Sequence, residues 1–127
     1  MMTFDINNLL FKLSKLDLEK AYSLGEQFRD NGHGSIFLKS YDNKRIICIV
    51  LKNASLKSLI YNLYKDEEVD LNQVVNQFSL KNKFYNRYDD ELIYLFDYDE
   101  NYRFELHEKQ GRILRVKFNY AISEKNT

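Results

Sequence analysis

A chain of 127 residues suffices for one domain with one core and is too short for two ordinary ones. At 44% hydrophobic and 30% charged it reads as globular, not disordered, and no apolar run approaches the ~20 residues that a membrane span needs. Lysine plus arginine equals aspartate plus glutamate, 19 each, so no net field draws the chain onto nucleic acid or an anionic membrane.

The start, Met1-Met2-Thr3-Phe4-Asp5, lacks a basic region and a small-residue cleavage site, which predicts a cytoplasmic protein without a signal peptide. Asp5 can cap a first helix with Ile6, Leu9, Leu10, Leu13 and Leu16 on one face. Asp17 can cap a second, with Leu18, Ala21, Tyr22 and Phe28 apolar, or the two run on as one bent helix. Gly32 suits the left-handed position that ends it.

Ser35 to Tyr41 and Arg45 to Lys52 flank the turn residues Asp42-Asn43-Lys44 and read as a hairpin. Ile46 to Leu51 is apolar on both alternating sets, which predicts a strand inside the sheet. Cys48 within it reads as a small buried hydrophobe; a lone cysteine rules out an intrachain disulfide. Asn53 or Ser55 can cap a third helix with Leu56, Leu59, Ile60 and Leu63 inward. Asp70 can cap a fourth with Leu71, Val74, Val75 and Phe78. Residues 79–90 are polar and aromatic and are assigned to no element.

Three strands follow. Leu92, Tyr94, Phe96 and Tyr98 alternate, then Tyr102, Phe104 and Leu106, then Leu114, Val116, Phe118, Tyr120 and Ile122. Asp99-Glu100-Asn101 and Lys109-Gln110-Gly111 each fit a three-residue hairpin loop, with Asn101 and Gly111 left-handed. The first loop pairs Tyr98 with Tyr102, Phe96 with Phe104 and Tyr94 with Leu106. The second pairs Glu108 with Arg112, Leu106 with Leu114, Phe104 with Val116 and Tyr102 with Phe118. The predicted order is α-α-β-β-α-α-β-β-β: one α+β domain over 1–127, with a mainly antiparallel sheet of about five strands packed with helices.

This register sends a second set of side chains to the opposite face. Asp97 faces Arg103; Leu95, Glu105 and Arg115 form one row, and Ile93, His107 and Ile113 another. Ile93, Leu95 and Ile113 are more apolar than a solvated face needs, so a helix of the chain or a partner should cover them. Asp97, Asp99 and Glu100 make one end acidic, while Lys109, Arg112, Arg115 and Lys117 make a basic stripe, extended by Lys81, Lys83 and Arg87.

No catalytic constellation emerges. The Asp97–Glu108 run spaces its acids like a calcium loop, but Tyr102 stands where that loop requires glycine. His33 and His107 are far apart, and neither has a second histidine or a cysteine at ligand spacing. Gly32-His33-Gly34-Ser35 lies between helix and strand, the reverse of a phosphate loop. The expectation is therefore no enzyme, no cofactor, no metal and no membrane partner. The Asn-, Lys-, Ile-, Tyr- and Phe-rich composition suits a low-GC bacterial or phage genome.

The function that fits is protein binding by surface complementarity, as an accessory factor of the inhibitor, immunity or anti-defence type. Its predicted surface is Asp97, Asp99, Glu100, Arg103, Glu105, Arg115 and Lys117, with Ile93, Leu95 and Ile113 as anchors. A homodimer through the last strand follows if Arg112–Ile122 is a free edge. The alternative is a nucleic-acid-binding regulator using the basic last strand. Against it, Tyr94, Phe96, Phe104 and Phe118 belong to the apolar face, where they cannot stack on bases.

Overall fold

The computed structural model describes residues 2–3, 5–14, 25–30, 35–40, 46–52 and 55–120, with side chains over 5–11 and 58–119. In chain order the elements are β1 (Met2–Thr3), α1 (Ile6–Ser14), β2 (Gly25–Asp30), β3 (Ser35–Ser40), β4 (Ile46–Lys52), β5 (Ser55–Asn62) and β6 (Glu67–Glu68). Then come α2 (Leu71–Gln77), β7 (Leu80–Asn86), β8 (Glu91–Asp97), β9 (Tyr102–Lys109) and β10 (Arg112–Tyr120). The architecture is α+β. One antiparallel eight-stranded sheet runs β2-β3-β4-β5-β10-β9-β8-β7, and β1 pairs with β6 in a small parallel ladder.

All five expected strands are present, and β2, β5 and β7 join them in the sheet. Two of these additions correct predicted helices. Gly25–Asp30, with Phe28, is a strand paired with β3; Leu18, Ala21, Tyr22 and Gly32 lie outside the described residues. Ser55–Asn62 is a strand as well, although Leu56, Leu59 and Leu63 carry helical spacing. Long-range pairing on both sides decides it: Leu59 lies opposite Phe118 of β10 and Ile49 of β4. Such pairing overrides a short local period. β4 is interior, as its two-sided apolar pattern predicts.

The two helices form as their caps predict. Asp5 accepts from the Asn8 amide at 3.1 Å, and Asp70 accepts from the Gln73 amide at 3.3 Å. Reciprocal amide bonds of 3.1 and 2.8 Å join Asn7 of α1 to Gln77 of α2. Ile6, Leu9 and Leu10 of α1 and Val74 of α2 pack with Tyr94, Phe96, Tyr102, Phe104, Leu106, Val116 and Phe118. Phe96 and Phe104 stack with centroids 5.0 Å apart, and the Phe78 ring meets Phe104 edge-on at 5.0 Å. This sheet face is inner. Among the described residues both helices lie against it, so the outer face is not covered by them.

The β8–β9 register is as predicted, with Phe96 opposite Phe104 and Asp97 opposite Arg103. Asn101 is not left-handed there; Asp99 holds the loop instead, its carboxylate accepting from the Asn101 amide at 2.8 Å and the Tyr102 amide at 2.9 Å. The β9–β10 register differs by two residues. Gln110 (φ 52°) and Gly111 (φ 80°) form a two-residue loop, so Lys109 faces Arg112. A bulge between Ile113 and Arg115 then sets Leu106 opposite Val116 and Phe104 opposite Phe118. A two-residue slip preserves faces, which is why Val116 and Phe118 are in the core as expected. Ile113 precedes the bulge and lies opposite Glu108, which turns it to the inner face, 4% exposed within the core.

Candidate functional site

The outer face of β7–β10 is built by alternation. Every core residue at an even position of β8 and β9 sends its odd-numbered neighbour outward. Three rows result. Asp97 stands beside Arg103 and Asn119; Asn82, Leu95, Glu105, Lys117 and Ile60 form the middle row; Phe84, Ile93, His107, Arg115 and Asn62 form the third.

Most of the predicted surface is assembled here, with different partners. Asp97, Arg103, Glu105, Arg115, Lys117, Ile93 and Leu95 all lie on the outer face. Lys117 replaces Arg115 beside Glu105, and Arg115 replaces Ile113 beside His107. Asp99 and Glu100 are exposed in the loop at one end. Ile113 is not an anchor of this face, because the bulge turns it into the core. The last strand is not a free edge either: β10 lies between β9 and β5, so the condition for dimerisation through it is not met.

The charges are organised in two groups. At the loop end, Arg103 Nε lies 3.3 Å from Asp97 Oδ1 and Lys81 Nζ 3.8 Å from Asp97 Oδ2. Toward the other end runs a connected polar chain. Ser58 donates to Asn119 at 3.2 Å, and Asn119 donates to Glu105 at 2.9 Å. Glu105 lies 3.0 Å from His107 Nε2, while His107 Nδ1 lies 3.2 Å from Glu91. Arg115 Nη1 closes the chain on Glu91 at 2.6 Å. The imidazole thus faces a carboxylate at each nitrogen, and Arg115 Nη1 lies 3.3 Å from its Nδ1.

Burial alone would push the Glu91 carboxyl up. The hydrogen bonds from Arg115 and His107 outweigh it, so the group is held below the usual carboxylate range. Glu105 follows the same logic: burial raises it, and the His107 bond, the Lys117 charge and the Asn119 amide together bring it down. Both carboxylates are therefore ionised and fixed in place at neutral pH. This arrangement presents set charges; among the described residues no group of histidine, cysteine and acidic side chains is disposed to hold a metal ion.

Glu91, Asn119, Ser58 and Phe84 are absent from the sequence-predicted surface. Glu91 shares parity with Ile93 and was findable from the alternation alone. Ser58 was hidden by the helical reading of its segment, and Phe84 because residues 79–90 were assigned to no element. No family model matches this chain, and neither a curated protein nor a solved structure matches it.

Proposed function

We propose that the protein acts by binding another protein through the outer face of β7–β10, without catalysis or cofactor, as an accessory factor of the inhibitor, immunity or anti-defence type. The observation that carries this reading is the row in which Phe84, 43% exposed, lies over Ile93, itself only 4% exposed, with half-buried Leu95 in the next row and paired charges around them. An apolar centre with a polar rim is the anatomy of a specific interface. The rim is preorganised, since the Ser58–Asn119–Glu105–His107–Glu91–Arg115 chain fixes its side chains before a partner arrives. Asp99 and Glu100 add an acidic end that orients the approach, beside Asp97, which is itself paired with Arg103 and Lys81.

The nucleic-acid alternative has less support. Within the basic stripe Arg115 is engaged by Glu91, Lys81 lies 3.8 Å from Asp97, and Lys117 lies beside Glu105, so part of its charge is offset by its own neighbours. Phosphate binding needs cations that are free to displace counterions.

The test is capture from an extract of the source cell with and without nuclease, then titration of the captured partner at two salt concentrations. Asp97→Lys with Glu100→Lys should weaken binding by about tenfold with the fold intact, and the wild-type salt slope should be shallow. Loss of capture on nuclease treatment, or a steep salt slope, would favour the nucleic-acid reading.

A further inference from the structure

Strand β7 has a second property, separate from the outer face it borders. Among the described residues it ends the sheet, with β8 as its strand neighbour, and residues 80–85 are all exposed. Leu80 is 42% exposed, Phe84 43% and Tyr85 53%. An edge strand carries a row of unpaired amides and carbonyls that can template another strand. Its protection is partial: Lys81 and Lys83 lie on the edge, and the Lys83 amide donates to the Asn82 side chain at 2.9 Å. The chain has no proline, and the bulge between Leu80 and Asn82 leaves Asn82–Asn86 in regular register with β8.

The charges on this edge decide what can pair with it. Lys81 and Lys83 lie within the strand and Arg87 follows it, with no acid between Leu80 and Arg87. The nearest carboxylates are engaged. Asp97 holds Arg103 and Lys81, Asp90 accepts from the Tyr85 hydroxyl, and Asp89 accepts from Asn86 at 3.0 Å. A second copy is a poor occupant. Antiparallel self-pairing centred on Lys83 sets Lys83 against Lys83; centring on Asn82 sets Lys81 against Lys83, and on Phe84 sets Lys81 against Arg87. Like charges directly opposite oppose pairing.

We propose that β7 takes up an extended segment of another protein, with alternating carboxylate and apolar residues, as a further strand of the sheet. Main-chain bonds to β7 supply the affinity, as in other strand-addition modes. Lys83, whose Nζ stands 5.1 Å from the centre of the Tyr94 ring on the inner face, meets a carboxylate. Phe84, on the outer face, meets the apolar residue next to it.

Three blocked peptides test this: alternating glutamate and valine, alternating lysine and valine, and the glutamate peptide with every second amide N-methylated. Fluorescence anisotropy reads affinity, and hydrogen exchange reads the amides of Asn82–Asn86. The glutamate peptide should bind and slow exchange in β7. The lysine and N-methylated peptides should each be weaker by about tenfold or more, and Lys83→Glu should reverse the charge preference. Equal affinity for both charge types, indifference to N-methylation, or unchanged β7 exchange would overturn the proposal. So would self-association of the peptide-free protein through these amides. The peptides do not require the acidic end, so failure here is distinct from failure of the outer-face reading.

Discussion

The Arg115 guanidinium reaches the Glu91 carboxylate at 2.6 Å across the intervening strand β9, whose His107 touches both. The Glu91 side chain is 3% exposed and that of Arg115 28%. This pair ties β8 to β10, strands that share no ladder. An arginine suits this place because its planar guanidinium carries several donors, so Nη1 can reach Glu91 and His107 together.

Removing Arg115 leaves a buried carboxylate with only His107 beside it. Arg115→Ala should cost roughly 2–3 kcal/mol, somewhat below the ~3–5 kcal/mol of a fully buried pair because Arg115 keeps partial solvent access. Lys117→Ala, in the next row, should cost under about 1 kcal/mol. Urea melts of the two variants check the ranking; equal losses would show that Glu91 does not depend on Arg115.

The same network fixes an acid response. Glu91 and Glu105 are both held below the usual carboxylate range in the fold. Their contribution is therefore fully present above the unfolded carboxylate pKa of about 4.3 and is lost as pH falls through the lower folded values. Stability should decline below roughly pH 4.5. Glu91→Gln should flatten that decline while lowering stability at neutral pH. A variant with an unchanged acid slope would mean that other carboxylates set it.

What could be read beforehand follows from which interactions are local. The β8–β9 register was legible because Tyr94, Phe96, Phe104 and Leu106 alternate on both sides of a short loop. The outward placement of Arg115 and Lys117 was legible too, since a slip of two preserves parity. Ile113 was not, because a bulge leaves no composition mark and reverses the face of what precedes it. β5 was misread because Leu56, Leu59 and Leu63 suit a helix, and only distant β4 and β10 make the segment a strand. The Glu91–His107–Arg115 cluster combines these cases: its members come from three strands, and the bulge sets the last.

The core assignment has a direct test. Phe104 is fully buried between the Phe96 and Phe78 rings, so Phe104→Ala leaves a cavity and should cost ~3–5 kcal/mol. Tyr88 is wholly exposed in the turn after β7, and Tyr88→Ala should stay within about 0.5 kcal/mol. Thermal and urea unfolding of the two should separate them clearly; similar values would displace the core from β8–β10.

The β9–β10 loop gives the last prediction, because the two alternative loops ask different things of Gln110. In a three-residue loop only Gly111 needs positive φ. In the observed two-residue loop both positions need it, with Gln110 at 52° and Gly111 at 80°. Glutamine is poorly suited to the left-handed region, whereas asparagine tolerates it through local hydrogen bonding. Gln110→Asn should therefore stabilise the protein by about 0.5 kcal/mol, and Gly111→Ala should destabilise it by ~1–2 kcal/mol. No heavy atom lies within 4 Å of a Cβ built at Gly111, so the second loss would report backbone conformation alone, not a clash. Both substitutions leave every outer-face side chain in place. A neutral or harmful Gln110→Asn would argue for the longer loop, and with it for Leu106 opposite Leu114 and Arg115 beside Glu105. The melting temperatures of these two variants therefore test the register on which the Glu91–Arg115 pairing depends.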